Sequence, residues 1–248
     1  MSRILLEACC GSADDVLEAV KGGADRVELN SNLFQGGLTP SIGTLETVRA
    51  HTDIPVIAML RPRGGGFCYT DIEFECMLKD EKELLKNGAN GVVFGCLLPD
   101  GTVDKERCKR VIDLAEGKPV VFHRAIDVTP DWRQALDTLM ELKVTRVLTS
   151  GQEPDVFFAL DTIAEMIHYA GSNIEILPGA GITLRNVDKV VAATGCTQVH
   201  LARHIARRDT SVQHNHDIFF GGALYPPETE YNVTDSDYFA AVRKKIGG

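Results

Sequence analysis

One short unit repeats along the chain: an apolar run of strand length, a turn, then an amphipathic stretch. Eight such runs follow one another, at Ile4–Cys9, Arg26–Asn30, Val56–Arg61, Gly91–Cys96, Val120–Arg124, Arg146–Ser150, Ile174–Leu177 and Gln198–Leu201. They recur at intervals of roughly 25–35 residues, the space taken by one strand, one helix and two loops. Strands that alternate with helices pair in parallel, because a parallel pair needs a long crossover. The count then chooses between two architectures. Six or seven units would suit an open doubly wound sheet equally well, whereas eight favour closure into a (β/α)8 TIM-type barrel. The 248 residues are enough for one such barrel, and no linker interrupts the series, so residues 1–248 read as one domain.

Helix punctuation agrees. Ser12 before Ala13-Asp14-Asp15 is an N-cap with acidic residues in the first turn, and Val16, Leu17 and Val20 supply an apolar stripe. Comparable stretches run over Asp71–Lys86, Asp131–Leu142, Asp155–Ala170 and Leu184–Ala193. Gly22-Gly23 and Asn87-Gly88 end helices just before the second and fourth runs, where a left-handed residue turns the chain back into the sheet. The segment from about 205 to 232 shows no clean period. It reads as an irregular loop or inter-subunit arm, followed by a final helix near Asp235–Lys245.

Composition narrows the partners. The 26 basic against 35 acidic residues give a net charge of −9, which argues against nucleic-acid binding. The apolar runs are strand-sized, far short of the roughly 20 residues that span a bilayer. The N-terminus enters a strand-like run without a basic region and apolar core, so neither a secretory signal nor membrane association is expected. Seven cysteines without C-x-x-C pairs suit reduced thiols and a cytoplasmic protein.

In such a barrel the functional groups gather where the strands end. There the chain carries Glu7 and Cys9, Glu28 and Asn30, Arg61 and Arg63, His123, Arg124 and Asp127, then Gly179 and Gly181, and His200 on the eighth strand. Glu7 and Cys9 share one strand face, as do Glu28 and Asn30. Arg61, Arg63 and Arg124, with the glycines of Gly179-Ala180-Gly181, suit a small anion such as a phosphate or carboxylate. His123 is a general acid/base candidate, with Asp127 to orient it and Glu7 or Glu28 as partner base. An enzyme of this kind would be a lyase, isomerase or hydrolase. The alternative is an internal salt-bridge network without chemistry. Cys9 and Cys10 could bind a soft metal, although only one of two adjacent strand residues faces the interior. His214-Asn215-His216 in the tail is either an exposed metal pair or solvated loop. There is no organic-cofactor motif, and no lysine stands at a strand end for Schiff-base chemistry.

Several segments together resemble the CutC family. They are Leu6-Glu7-Ala8-Cys9, Gly23-Ala24-Asp25-Arg26-Val27-Glu28-Leu29, Gly36-Gly37-Leu38-Thr39-Pro40-Ser41, Arg61-Pro62-Arg63-Gly64-Gly65, Phe122-His123-Arg124-Ala125-Ile126-Asp127, Arg146-Val147-Leu148-Thr149-Ser150-Gly151 and Pro178-Gly179-Ala180-Gly181-Ile182. The resemblance implies a (β/α)8 barrel, a cytoplasmic location, a homo-oligomer (dimer or tetramer) and a role in copper homeostasis with Cu(I) as the ion. Family members commonly have Cys where Asn30 stands, Asp where Gly66 stands, and small hydroxyl residues where Leu201 and Ala202 follow His200. Cys9 therefore lacks the second sulfur that a two-thiol Cu(I) site would use. Two functions follow: copper binding, or acid/base chemistry on a small anionic, perhaps sugar-like, metabolite.

Overall fold

The computed structural model describes residues 3–212, 214–215, 217–221 and 227–247. Eight strands make one sheet: β1 (Leu5–Cys10), β2 (Arg26–Leu29), β3 (Val56–Met59), β4 (Gly91–Phe94), β5 (Val120–Phe122), β6 (Arg146–Thr149), β7 (Glu175–Pro178) and β8 (Gln198–Leu201). Their order is β7-β6-β5-β4-β3-β2-β1-β8, and every neighbouring pair is parallel. β7 and β8 lie against each other at the two ends of that order, so the barrel is nearly closed. Pro178 removes one backbone donor from that seam, and Gln198 Nε2 crosses it to Glu175 Oε2 at 3.1 Å.

The crossovers are α1 (Ala13–Lys21), α2 (Ile42–His51), α3 (Asp71–Lys86), α4 (Lys105–Leu114), α5 (Trp132–Glu141), α6 (Leu160–Ala170) and α7 (Val187–Thr194), and α8 (Ser236–Lys245) completes the ring. Their starts have local causes. Ser12, Ser41, Asp104, Asp131 and Asp235 each accept a first-turn N–H, and Thr70 forms a capping box with Glu73. The stretch Asp155–Ala170 is not one helix. A 3-10 turn at Val156–Phe158 precedes α6, because Ala159 offers no side-chain cap to a continuous start.

The arm is less irregular at its ends than its sequence suggests. β9 (His204–Arg208) and β10 (Glu230–Thr234) form an antiparallel pair, with His204 opposite Thr234 and Arg208 opposite Glu230. Most of their side chains are exposed, so no apolar alternation marks them. Asp15 in α1 accepts from Thr234 N at 2.6 Å and ties the arm to the barrel wall. His216 of the His214-Asn215-His216 motif lies outside the described residues. Among the described residues no helix is long and apolar enough to cross a membrane.

The barrel interior is divided. Ile57, Met59, Val93, Val121, Leu148 and Leu177, from β3 to β7, form an apolar cluster. The neighbouring β8, β1 and β2 bury Gln198, His200, Glu7, Arg26 and Glu28 instead. Arg26 pairs with Glu7 and donates through Nη2 to Gln198 Oε1 at 2.8 Å, while Arg146 Nη2 reaches Glu175 Oε2 at 2.6 Å. Buried charges survive only when paired in this way.

Candidate functional site

Above this polar half the mouth opens into a pocket of about 530 Å³, lined by Cys9, Glu28, Arg61, His123, Arg124 and His200 among others. Glu7 lies beneath it, fully committed. It holds His200 Nδ1 at 2.8 Å through Oε1 and Arg26 through Oε2. Burial would raise its carboxyl, but the hydrogen bond with His200 and the charges of Arg26 and His200 hold it at about 2. Glu7 is therefore an orienting anion rather than a base.

Cys9, Glu28 and His200 come together on the pocket floor, one ligand atom from each lying within 4.8 Å of the others. Strand register causes this. Cys9 stands opposite Glu28 across β1–β2, and Glu7 opposite His200 across β1–β8. With Nδ1 given to Glu7, the His200 ring also hydrogen-bonds Cys9. Burial disfavours a charged imidazole, yet the surrounding Glu28, Cys9 and Glu7 push the His200 pKa well up. Burial pushes the Cys9 thiol up, His200 pulls it back and Glu28 adds to the rise, leaving it at about 11. Burial and the nearby Glu7 charge also raise Glu28, while His200 and Asn30 oppose them. Asn30 Nδ2 donates to Glu28 Oε1 at 3.0 Å and approaches Cys9 Sγ at 3.6 Å, so position 30 adjoins the cluster. Gly37 permits this packing, since a Cβ there would meet Asn30 Oδ1 at 2.5 Å.

The other side chains expected at the mouth divide. Arg61 lines the pocket, but its Nη atoms donate to the carbonyls of Gln35, Gly37 and Gly65 at 2.9, 3.1 and 2.7 Å. His123 accepts from Ala125 N through Nδ1 at 3.1 Å, starting a 3-10 turn over Arg124–Val128. A Cβ at Gly95 would overlap its ring, which fixes glycine there. Burial and the charges of Arg61 and Arg124 press the His123 pKa down to about 3, so its ring is neutral.

Four expectations are corrected. Arg63 leaves the site for Glu73, with Nε to Oε1 at 2.6 Å, and for the carbonyls of Gly64, Gly66 and Cys68, where it staples the loop to α3. Asp127 does not orient His123. Its oxygens accept from Thr149 Oγ1, Ser150 N, Ser150 Oγ, Gln152 N and Arg124 Nε, which anchors the end of β6. Cys10 is buried in the layer between sheet and helices, as its alternation with Cys9 requires. The loop after β7 does not present an open anion cradle. Gly179 packs among Leu148 and His200, the Asp155 carboxylate occupies the space over Gly181, and Asn186 Oδ1 takes Thr183 N at 2.7 Å. Arg124 keeps a place on the pocket wall while donating through Nη2 to Ser150 Oγ at 2.7 Å.

The family model described as "CutC family" matches residues 4–205. A CutC family protein from Treponema denticola is 50% identical over 246 residues, covering 99% of this chain and all of its own. The chain belongs to the CutC family. The human copper homeostasis protein cutC homolog is 40% identical, over 93% of this chain and 85% of that one. The solved CutC structure from Streptococcus agalactiae superposes with a TM-score of 0.76 at 33% identity, over 79% of this chain and 97% of its own. A phosphoribosylanthranilate isomerase from Thermotoga maritima, 13% identical with a TM-score of 0.54, shares the barrel fold alone. The CutC motifs can now be read as structure: Gly36-Gly37 and Arg61 close one loop on another, and Asp127 ties β5 to β6.

Proposed function

We propose that the protein binds Cu(I) on the pocket floor through Cys9 Sγ and His200 Nε2, with the Glu28 carboxyl beside them, as its part in copper handling. The reading rests on the convergence of one thiol, one imidazole and one carboxyl within 4.8 Å. Thiolate and imidazole suit a soft, low-coordinate cation, and Glu7 on Nδ1 is the outer partner that orients a ligating histidine. The copper homeostasis name of the human relative supports the same role. An anaerobic titration against a Cu(I)-selective chelator tests it. One tight equivalent is expected, lost in Cys9→Ser and in His200→Gln with the fold checked by circular dichroism. Zn(II) held in preference to Cu(I), or Cu(I) retained by Cys9→Ser, would overturn the assignment.

The pocket is larger than an ion requires, which favours a second, organic occupant and leaves room for the acid/base reading. Seven unpaired cysteines support a cytoplasmic site of action. The exposed rings of Phe34, Phe158 and Phe220 support self-association, which light scattering over a concentration series would test.

A further inference from the structure

Arg61 is buried without a counter-ion. Among the described residues no carboxylate pairs with it, and its two Nη atoms are satisfied by backbone carbonyls alone. Its Nε–H has no acceptor. His123, just after β5, is in the same condition. Its Nδ1 accepts from Ala125 N, so the proton of the neutral ring is on Nε2, and that N–H is buried without a partner. Both side chains line the pocket, and the Phe67 ring packs against both, 4.7 Å from the His123 centroid and 5.4 Å from the Arg61 guanidinium carbon. Two unmet donors beside one uncompensated positive charge are costly in a folded protein, and an acceptor bearing a negative charge relieves all three at once. Met59, Phe67, Leu148, Ile182 and Leu201 supply apolar surface to the same lining.

We propose that the mouth binds a small organic anion, its carboxylate or phosphate taken by Arg61 Nε–H and His123 Nε2–H and its carbon body lying against these apolar side chains. The pocket volume of about 530 Å³ is that of sites for small molecules. Phe67 follows Gly64-Gly65-Gly66, and its ring lies beside both donors. The site uses neither Cys9 nor Glu28, so it is separate in chemistry from the metal floor although it shares the cavity.

The test uses the full chain, metal-free and labelled with 15N-histidine, so its result is independent of whether Cu(I) binds. Benzoate, phenyl phosphate and uncharged benzyl alcohol are titrated in turn while the His123 Nε2–H resonance is followed. A saturable shift with benzoate or phenyl phosphate and none with benzyl alcohol is expected, and the anion that saturates first distinguishes carboxylate from phosphate. His123→Phe, which keeps a ring against Phe67, should weaken that anion by about tenfold or more, with folding verified by a thermal melt. No shift with either anion, or equal binding of benzyl alcohol, would overturn the proposal.

Discussion

Glu81 in α3 carries a consequence for stability that the metal site does not share. Its side chain is fully buried, and neither carboxylate oxygen has a hydrogen-bond partner. Burial disfavours the charged form and pushes the carboxyl up to about 8. In the unfolded chain the same group titrates near the ordinary glutamate value of 4.5. The folded state therefore holds a proton that the unfolded state releases between those two values. The Glu81 contribution to stability is at its full value below pH 4.5 and declines as pH rises towards 8, where the folded carboxyl also ionises. Each pH unit in that window removes about 1.4 kcal/mol, so the loss at pH 7 is about 3 kcal/mol. Glu81→Met keeps the length of the side chain and removes the titration. Urea unfolding of both proteins at pH 5, 6, 7 and 8 should show the variant gaining on the parent as pH rises, by about 3 kcal/mol between pH 5 and 8. A constant difference across the series would refute the reasoning and require a partner for the Glu81 carboxylate.

Other substitutions separate orientation from framework. Glu7→Gln should lower Cu(I) affinity by about ten- to a hundredfold in chelator competition, because His200 loses the anion on Nδ1. The same change should cost about 3 kcal/mol in urea melts, since Arg26 is left buried without its partner. Asn30→Cys adds a second thiol beside Cys9 and should tighten Cu(I) about tenfold or more; unchanged affinity would show that position 30 does not face the ion. Asp127→Asn should cost about 2 kcal/mol or more in urea stability, since its carboxylate accepts from Thr149, Ser150 and Gln152, while Cu(I) binding stays unchanged.

The barrel was legible because each strand is a short apolar run and the runs could be counted. The strand-end rule also found Glu7, Cys9, Glu28, Arg61 and His123, all of which the structure places in the pocket or directly beneath it. The rule says which end of a strand a residue occupies, not where a long side chain goes from there. Arg63 finds Glu73 ten residues later, and Asp127 finds the N–H groups of the next strand, so both leave the mouth. His200 stood in plain sight on the eighth strand. Its role depends on Glu7, 193 residues earlier, and only closure of the sheet through β1–β8 pairing joins them. The β9–β10 pair carries no periodic signal in the sequence because most of its side chains are exposed.

The division of the interior accounts for the position of the proposed metal floor. A cation site needs donors that are buried, oriented and electrically compensated, and an all-apolar barrel core could supply none of these. Here β8, β1 and β2 give up hydrocarbon packing for a ladder that runs from Gln198 and Arg26 through Glu7 to His200. Arg26, Glu7 and His200 are each paired within it, so His200 reaches the pocket with its ring held by Glu7 and hydrogen-bonded to Cys9. The apolar cluster of β3 to β7 forms the opposite support, and Arg61, His123 and Arg124 bring polar groups to the mouth there. The first wall pairs its own charges through Arg26, Glu7 and His200, and Cu(I) is its proposed occupant. The second wall keeps a buried guanidinium without a counter-charge and a neutral imidazole without an acceptor. The two walls thus call for different guests, a soft cation and an organic anion, and a cavity able to hold both would bring the anion's free end over the ion.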